Sequence, residues 1–445
     1  MKNLSEKENS KRLPISSLAR TTLSAGLLLR LGVNTSQSLV ADLFSVKKPD
    51  LQSALISKKN VIATVDTLKN LRGAAMKFGQ LLSLDETVIL SPELAAIFAQ
   101  LQSSGYSMTP SQLKKVLNQN WGDDWLKHFK HFDVRPFAAA SIGQVHRASL
   151  KSGEVVAIKV QFPGVKQSID SDLATLKFIM KTSGTLPAKF PLDYYIAKCG
   201  DLLKRETNYE LEAENINLFS GFLNGSKVIH VPKVYNKLST DQTLTMSFLE
   251  GRELSNIMNF DQSVRDEISL HLIQLLFNEI FNFRMVQTDP NLANFLLSEG
   301  GKSLCILDFG ACSQVSEETD RLYKDLLTGA LSLDVNTIKR VLKENNFIPE
   351  EISQAGTKFL DNIISVAIHE LSKDEIFDFQ KSKVFQLILE ENFNLFFDLI
   401  PSSSLGPDFI FIQRKIFGLI LFFRAIGTKL PLLKILKQQS KLLKC

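Results

Sequence analysis

An apolar stretch, Leu304-Cys305-Ile306-Leu307, stops abruptly at Asp308-Phe309-Gly310. A carboxylate at a strand's end, beside a flexible glycine, can hold Mg²⁺ against nucleotide phosphates. Three residues are a weak signal alone, because acidic turns with glycine are common. The preceding stretch, Thr288-Asp289-Pro290-Asn291-Leu292-Ala293-Asn294, supplies an Asp, four intervening residues and an Asn. Between the two lie an apolar strand, Phe295-Leu296-Leu297, and a turn, Glu299-Gly300-Gly301. Two chance acidic turns would not share this order, so loop, hairpin and Asp308 read as one device.

The spacing is that of a kinase catalytic loop, with Asp289 handling the attacking group and Asn294 and Asp308 holding metal. Upstream, Phe137-Ala138-Ala139-Ala140-Ser141-Ile142-Gly143-Gln144-Val145 stands where kinases carry a glycine-rich loop ending in Val. Ala138 and Ala140 occupy the first two glycine positions, and only Gly143 remains. Alanine resists positive φ, so this loop is stiffer than one built of glycine. After the turn Lys151-Ser152-Gly153 comes Val155-Val156-Ala157-Ile158-Lys159. Lys159 at a strand's end suits the α/β-phosphates, with Ala157 lining the same site; the bland alternative is a lysine that snorkels. An acidic helix over residues 202–219 offers carboxylates, Glu206 and Glu212 among them, which leaves a helical insertion at 165–197. The strand Leu244-Thr245-Met246-Ser247-Phe248-Leu249 reads as a hinge. Met246 is then the gatekeeper, and the Ser247 carbonyl and Leu249 amide read adenine. Helices are expected over 264–283 and 317–331. The second follows Gly310 almost directly, with no Ala-Pro-Glu between, which leaves no platform for a peptide substrate.

With 445 residues the chain is long enough for two or three lobes. A net charge of +5 is mild and suggests no nucleic-acid partner. Four scattered cysteines without a CxxC pair suggest neither a disulfide framework nor a zinc site, so a reducing compartment fits. No apolar run approaches the ~18 residues of a membrane span, and Glu6 and Glu8 argue against a signal peptide. Residues 1–50 are basic, with leucines at helical spacing from Leu18 to Leu31. Residues 61–102 read as helices, a second one starting at Ser91-Pro92, and Lys77 and Gln80 share one helix face. Residues 409–423 read as core interrupted by Arg414 and Lys415. The lysine- and leucine-rich end that follows reads as a basic tail able to rest on an anionic membrane.

Together these stretches resemble the UbiB family of atypical kinases, linked to ubiquinone biosynthesis, over roughly residues 60–430. The specific marks are Lys77-Phe78-Gly79-Gln80, the alanine loop Ala138-Ala139-Ala140-Ser141, and Gln287-Thr288-Asp289-Pro290. Gln287 stands in the region where protein kinases have the histidine of His-Arg-Asp. The resemblance implies a regulatory cap in which Lys77 and Gln80 act with Glu206, and a pairing of Glu212 with Lys159. It also implies an acidic Glu-x-Asp-Tyr pattern, which here reads Glu206-Thr207-Asn208-Tyr209, with Asn for Asp.

The expected architecture is α+β: a bilobal protein-kinase-like fold with an N-terminal helical cap and a helical C-lobe. Its parts are a basic segment (1–50), the cap (51–132), the N-lobe (133–250) and the C-lobe (251–445). The expected activity is that of a Mg²⁺-dependent ATP- or ADP-binding ATPase or small-molecule or lipid kinase. Its site is catalytic Asp289 and Lys159; nucleotide-binding Ala138, Ala139, Ala140, Ser141, Gly143, Val145, Ala157, Glu212, Met246, Ser247 and Leu249; and metal-holding Asn294 and Asp308. The alternatives are a protein Ser/Thr kinase and a non-catalytic nucleotide-binding scaffold. Expected partners are a quinone-like lipid, an anionic membrane and other biosynthetic proteins, in the cytoplasm or an organellar matrix.

Overall fold

A computed structural model describes residues 71–84, 107–182, 191–289, 291–348, 352–373, 375–388 and 407–442. The basic segment 1–50, the expected helical positions 61–70 and the helix expected from Ser91-Pro92 lie outside the described residues, as does the Gln80 side chain. The chain divides into two compact units, Met1–Leu218 with Pro232–Leu249, and Phe219–Val231 with Glu250–Cys445.

The first unit is built on an antiparallel sheet in the order β1-β3-β4-β6: Phe129–Phe132, Gly143–Leu150, Val155–Gln161 and Thr243–Ser247. The short β2 (Ala138–Ala139) also pairs with β3. The β3–β4 turn is the expected one, and Gly153 sits at φ +94°, a conformation that favours glycine. Strand β4 is central and buried, and its residues alternate. Val156, Ile158 and Val160 enter an apolar cluster with Leu113, Leu117, Trp125, Phe129 and Phe132. Lys159 and Gln161 fall on the other face by the period of two. Full burial of each such apolar side chain contributes about 1.5–3 kcal/mol. Helix α1 (Arg72–Leu84) precedes this sheet, and α2 (Pro110–Trp121) packs on the cluster. Thr109 caps α2 by a capping box, and Pro110 opens it.

Two helices, α3 (Val165–Thr182) and α4 (Leu192–Glu206), pack against α1 and each other. The acidic helix expected over 202–219 is instead two helices. α4 ends at Glu206, and α5 (Tyr209–Phe222) starts after a break at Thr207-Asn208. The cause is local: the Asn208 side chain accepts a hydrogen bond from the Leu211 N–H at 3.2 Å, an N-cap that starts a new helix.

His146 lies wholly inside the first unit. Its ring stacks on Phe132, Nδ1 lies 2.8 Å from the Asp133 carbonyl, and Nε2 lies 2.8 Å from the Gln144 amide nitrogen. The Gln144 oxygen accepts from the Met108 N–H at 2.7 Å, so its amide nitrogen donates to Nε2 and leaves Nδ1 to carry the ring proton. Burial is the main cause that lowers this histidine from 6.5 to about 4.

The second unit holds a sheet in the order β5-β10-β9-β7: Ile229–His230, Leu304–Ile306, Phe295–Leu297 and Arg252–Glu253. β10 runs parallel to β5 and antiparallel to β9. A separate antiparallel pair joins β8 (Met285–Gln287) to β11 (Cys312–Gln314). Helix α6 (Gln262–Phe277) widens into a π turn, Asn278–Asn282. It is followed by α7 (Glu317–Ser332), α8 (Val335–Glu344), α9 (Gln354–Lys373) and α10 (Pro407–Ala425). The basic tail is ordered: β13 (Lys429–Leu430) pairs with β12 (Phe377–Asp378), and α11 (Leu432–Leu442) packs on α7 and α9 with Ile435 buried. Leucines that read as membrane-facing sit on an amphipathic helix whose buried face meets this unit.

Beneath β8 lies an ion pair. Glu279, in the π turn and 0% exposed, receives Lys415 Nζ of α10 at 2.5 Å and accepts the Gln287 N–H at 3.2 Å. Burial pushes the Glu279 carboxyl above its usual range, and Lys415 opposes that. Lys415 thus interrupts an apolar helix in order to neutralise a buried acid.

Two outcomes follow. His146 stays neutral in the fold, whereas the unfolded chain takes up its proton below about pH 6.5. Stability is therefore lost as pH falls from there to about 4, by about 3 kcal/mol at roughly 1.4 kcal/mol per pH unit. Urea unfolding across that range should show the loss in the wild type and much less of it in His146→Gln; equal slopes would remove His146 as its source. Lys415→Met leaves a buried charge unpaired and should cost about 3–5 kcal/mol, with much of that recovered in the Lys415→Met/Glu279→Gln double variant. A single variant within about 0.5 kcal/mol of wild type would contradict the pairing.

Candidate functional site

In the first unit, β4 delivers Lys159 and α5 delivers Glu212. Lys159 Nζ donates to Glu212 Oε1 at 2.5 Å, and the two residues are only 7% and 3% exposed. Antiparallel register puts Val145 of β3 and Leu244 of β6 on either side of Lys159. Ala157 pairs with Met246, and both are buried. Ser247 ends β6, its N–H donating to the Lys233 carbonyl at 2.8 Å, and Leu249 lies just beyond.

The alanine loop is a tight turn. Ala138 and Ala139 pair with Val145 and Gln144, and the Ala140 N–H donates to the Gly143 carbonyl at 3.0 Å. No alanine here takes a positive φ. Gly143 is demanded by space: a Cβ there would sit 2.4 Å from the Val160 carbonyl oxygen. The turn is also latched. Ser141 Oγ donates to Glu206 Oε2 at 2.9 Å, and the other oxygen of Glu206 pairs with Lys77 of α1. Lys77 is 2% exposed, so this helix inserts a charge into the interior and meets it with Glu206. Helix α1 approaches closely at Gly73, where a Cβ would lie 3.1 Å from Ile142. Nearby Cys199 donates weakly to the Ala74 carbonyl, and burial pushes its thiol up to about 12. Gln80 lies on the same helix, in its seventh to ninth positions with Phe78 and Gly79.

In the second unit, Asp289 follows β8, Asn294 precedes β9 and Asp308 follows β10, strands held in the β8/β11 and β9/β10 pairs. Asp289 Oδ2 accepts from Asn294 Nδ2 at 2.9 Å, and Oδ1 accepts from the Asn291 N–H at 3.3 Å. That bond fixes the orientation of the Asn294 amide, with its nitrogen toward Asp289 and its oxygen at the opposite end. Asp308 Oδ1 accepts from the Gly310 N–H at 3.0 Å. A carboxylate and an amide oxygen are hard donors, few enough for Mg²⁺ to complete its shell with phosphates and water. The donor set therefore fits Mg²⁺. Phe309 is fully buried, its ring 4.8 Å from Phe219.

Gln287 ties the group together. Its amide nitrogen donates to the carbonyls of Asp289 and Asp308, at 3.1 and 3.3 Å. Thr288 adds two bonds to the Ala311 carbonyl. Gln287 thus fastens the two segments that carry the acids, and Glu279 and Lys415 hold its own backbone. Arg414 Nη2 stands 3.9 Å from Asp289 Oδ1. Sequence reasoning missed Glu279, Arg414 and Lys415, and it missed the bonding of Ser141 to Glu206. The available signal was Arg414-Lys415 itself, two cations inside an otherwise apolar stretch.

A family model described as the ABC1 atypical kinase-like domain matches residues 100–342. The yeast Saccharomyces cerevisiae protein named atypical kinase COQ8, mitochondrial, is 32% identical over 433 residues, covering 96% of this chain and 86% of that one. The Danio rerio atypical kinase COQ8B, mitochondrial, is also 32% identical, covering 86% of this chain and 62% of its own. The Caenorhabditis elegans atypical kinase coq-8, mitochondrial, is 36% identical over 67% of this chain and 40% of that one. The chain thus spans well under two thirds of some relatives and most of another. A solved Mycobacterium tuberculosis protein in complex with erythromycin shares the fold, with a TM-score of 0.60 and 22% identity, covering 88% of this chain and 97% of that one. The motifs, the α+β kinase-like fold and these matches agree: the chain belongs to the ABC1 atypical kinase family, to which the UbiB and COQ8 kinases belong.

Proposed function

We propose that the protein binds a Mg-nucleotide, ATP or ADP, and transfers the terminal phosphoryl group to water or to a small or lipid hydroxyl in support of quinone lipid biosynthesis. The observation that carries this reading is the Asn294–Asp289 hydrogen bond together with Gln287, whose amide ties the backbone of Asp289 to that of Asp308. Phosphoryl transfer asks for positioning and charge stabilisation more than covalent chemistry. Lys159, steadied by Glu212, orients the α/β-phosphates. Asn294 and Asp308 hold Mg²⁺, which neutralises charge on the phosphates. Asp289, held by Asn294, accepts the proton of the attacking oxygen. Ala138, Ala139, Ala140, Ser141, Gly143 and Val145 cover the phosphates, while Ala157, Met246, Ser247 and Leu249 receive the base. Lys77, Gln80 and Glu206 form the regulatory latch on that loop.

From Gly310 the chain reaches Ser316, the N-cap of α7, through β11 alone. That brevity supports a substrate other than a docked peptide. The mitochondrial names of the relatives and the lysines of α11 support work beside a membrane. Lys434, Lys437 and Lys441 are exposed, and each contributes about 1 kcal/mol near an anionic leaflet.

Phosphate release without added protein substrate, with and without lipid, tests the reaction. Asp308→Asn should lower the Mg²⁺-dependent rate by at least about 100-fold while leaving the unfolding transition in place; wild-type turnover would refute the metal assignment. For the membrane, Lys434, Lys437 and Lys441 should be changed to Glu together, since deleting residues 430–445 would remove β13 and α11. Co-sedimentation with anionic liposomes should fall in the triple variant and in high salt. Unchanged co-sedimentation would move the contact off this helix.

A further inference from the structure

Lys159 shares its wall of the first unit with a second cation. Residues directly opposite each other in an antiparallel sheet stand on the same face. Arg147 of β3 pairs with Ala157 of β4, and Ala157 pairs with Met246 of β6. Two residues away, Val145 pairs with Lys159, and Lys159 pairs with Leu244. All six side chains therefore belong to one wall. Val145, Ala157, Leu244 and Met246 are apolar and buried, whereas Arg147 is exposed.

Stacking is what holds Arg147. Its Cζ lies 4.7 Å from the centroid of the Phe248 ring. Among the described residues its guanidinium forms no ion pair and donates no hydrogen bond. Phe248 lies between Ser247 and Leu249, and its N–H donates to the Val155 carbonyl at 3.0 Å. Phe137, the residue before the alanine loop, meets the Phe248 ring edge to face at 5.6 Å and 67°. The Phe137 N–H donates to the Val145 carbonyl at 2.9 Å. Both rings are thus anchored through their backbones, and the pair carries Arg147 at the outer end of an otherwise apolar wall. A guanidinium is a flat, weakly hydrated cation that stacks on aromatic systems. Because Arg147 is exposed, a ligand can reach it.

We infer that Arg147 is a specificity-determining residue of this wall, selecting a purine nucleotide over a pyrimidine one. The inference rests on the nucleotide reading proposed above. In that reading Lys159 marks the α/β-phosphates, while Ala157 and Met246 mark the base. Ala157 lies about 7 Å along β4 from Lys159, two strand residues. Arg147 stands level with Ala157, one strand spacing of about 5 Å to the side. The Ala157 methyl covers one ring. A purine is wider by a second ring, and that ring falls to the guanidinium, which attracts its π face. Charge alone would favour every nucleotide equally, through the phosphates. Stacking favours the larger base.

Calorimetry on the full chain with Mg-ADP and with Mg-CDP reads this preference. Arg147→Ala should weaken Mg-ADP binding about fivefold or more and leave Mg-CDP binding within about twofold. The ratio of the CDP to the ADP dissociation constant then falls, and the retained Mg-CDP binding shows that the site is folded. Arg147→Lys keeps the charge and loses the plane, so it should not restore the ratio. An unchanged ratio in Arg147→Ala, an equal loss for both nucleotides, or restoration by lysine would each overturn the inference while leaving nucleotide binding in place. A wild-type chain that binds neither nucleotide would overturn the nucleotide reading itself, and this inference with it.

Discussion

A carboxylate shut away from water must find a partner or give up its charge, and Glu279 sits under that rule at the centre of the second unit. Its two oxygens are divided between Lys415 and the backbone of Gln287. Gln287 then spends its side chain on the carbonyls of Asp289 and Asp308. The order of dependence is clear. A buried pair fixes a strand, the strand fixes an amide, and the amide fixes the spacing of two acids. A buried pair of this type contributes little net stability, because desolvation offsets attraction. Its value here is placement.

The first unit repeats the pattern with different parts. Lys77 and Lys159 are both buried, and each is met by one glutamate, Glu206 and Glu212. The helix break at Thr207-Asn208 decides how those glutamates can serve two lysines. On one unbroken helix they would stand about 120° apart around the axis, at 100° per residue. Separate helices free each carboxylate to take its own direction. Asn at 208, where the resemblance expects Asp, keeps the helix start, because both residues cap well.

Much of this was legible in the sequence, for a physical reason. The loop, hairpin and Asp308 are close in the chain, so spacing alone carries their geometry. The strand around Lys159 was legible from its apolar run ending in lysine and from the turn before it. Glu212 was reached only through the resemblance, 53 residues from its lysine. The Glu279–Lys415 pair was not legible, since 136 residues separate the partners and no local pattern links them. The helix break was misread because acidic and apolar positions keep a helical period across it. The cue was Asn208 itself, whose side chain competes for backbone N–H groups. The packing of the tail on α7 and α9 was not legible, because leucine and lysine in alternation suit a membrane surface and a packed amphipathic helix alike.

The π turn at Asn278–Asn282 has a consequence for how this chain can vary in length. A π turn carries a wider ring of hydrogen bonds than the helix around it, and such turns gather at functional places. Removing a single residue from it would let α6 run on as regular helix, a locally easier conformation. The same deletion would swing every later side chain by about 100° relative to α6. Glu279 would turn from Lys415, and strand β8 would meet β11 out of phase. The segment therefore tolerates changes of residue far more readily than a change in its number, and an insertion or deletion there would mark a chain that has abandoned this arrangement of acids.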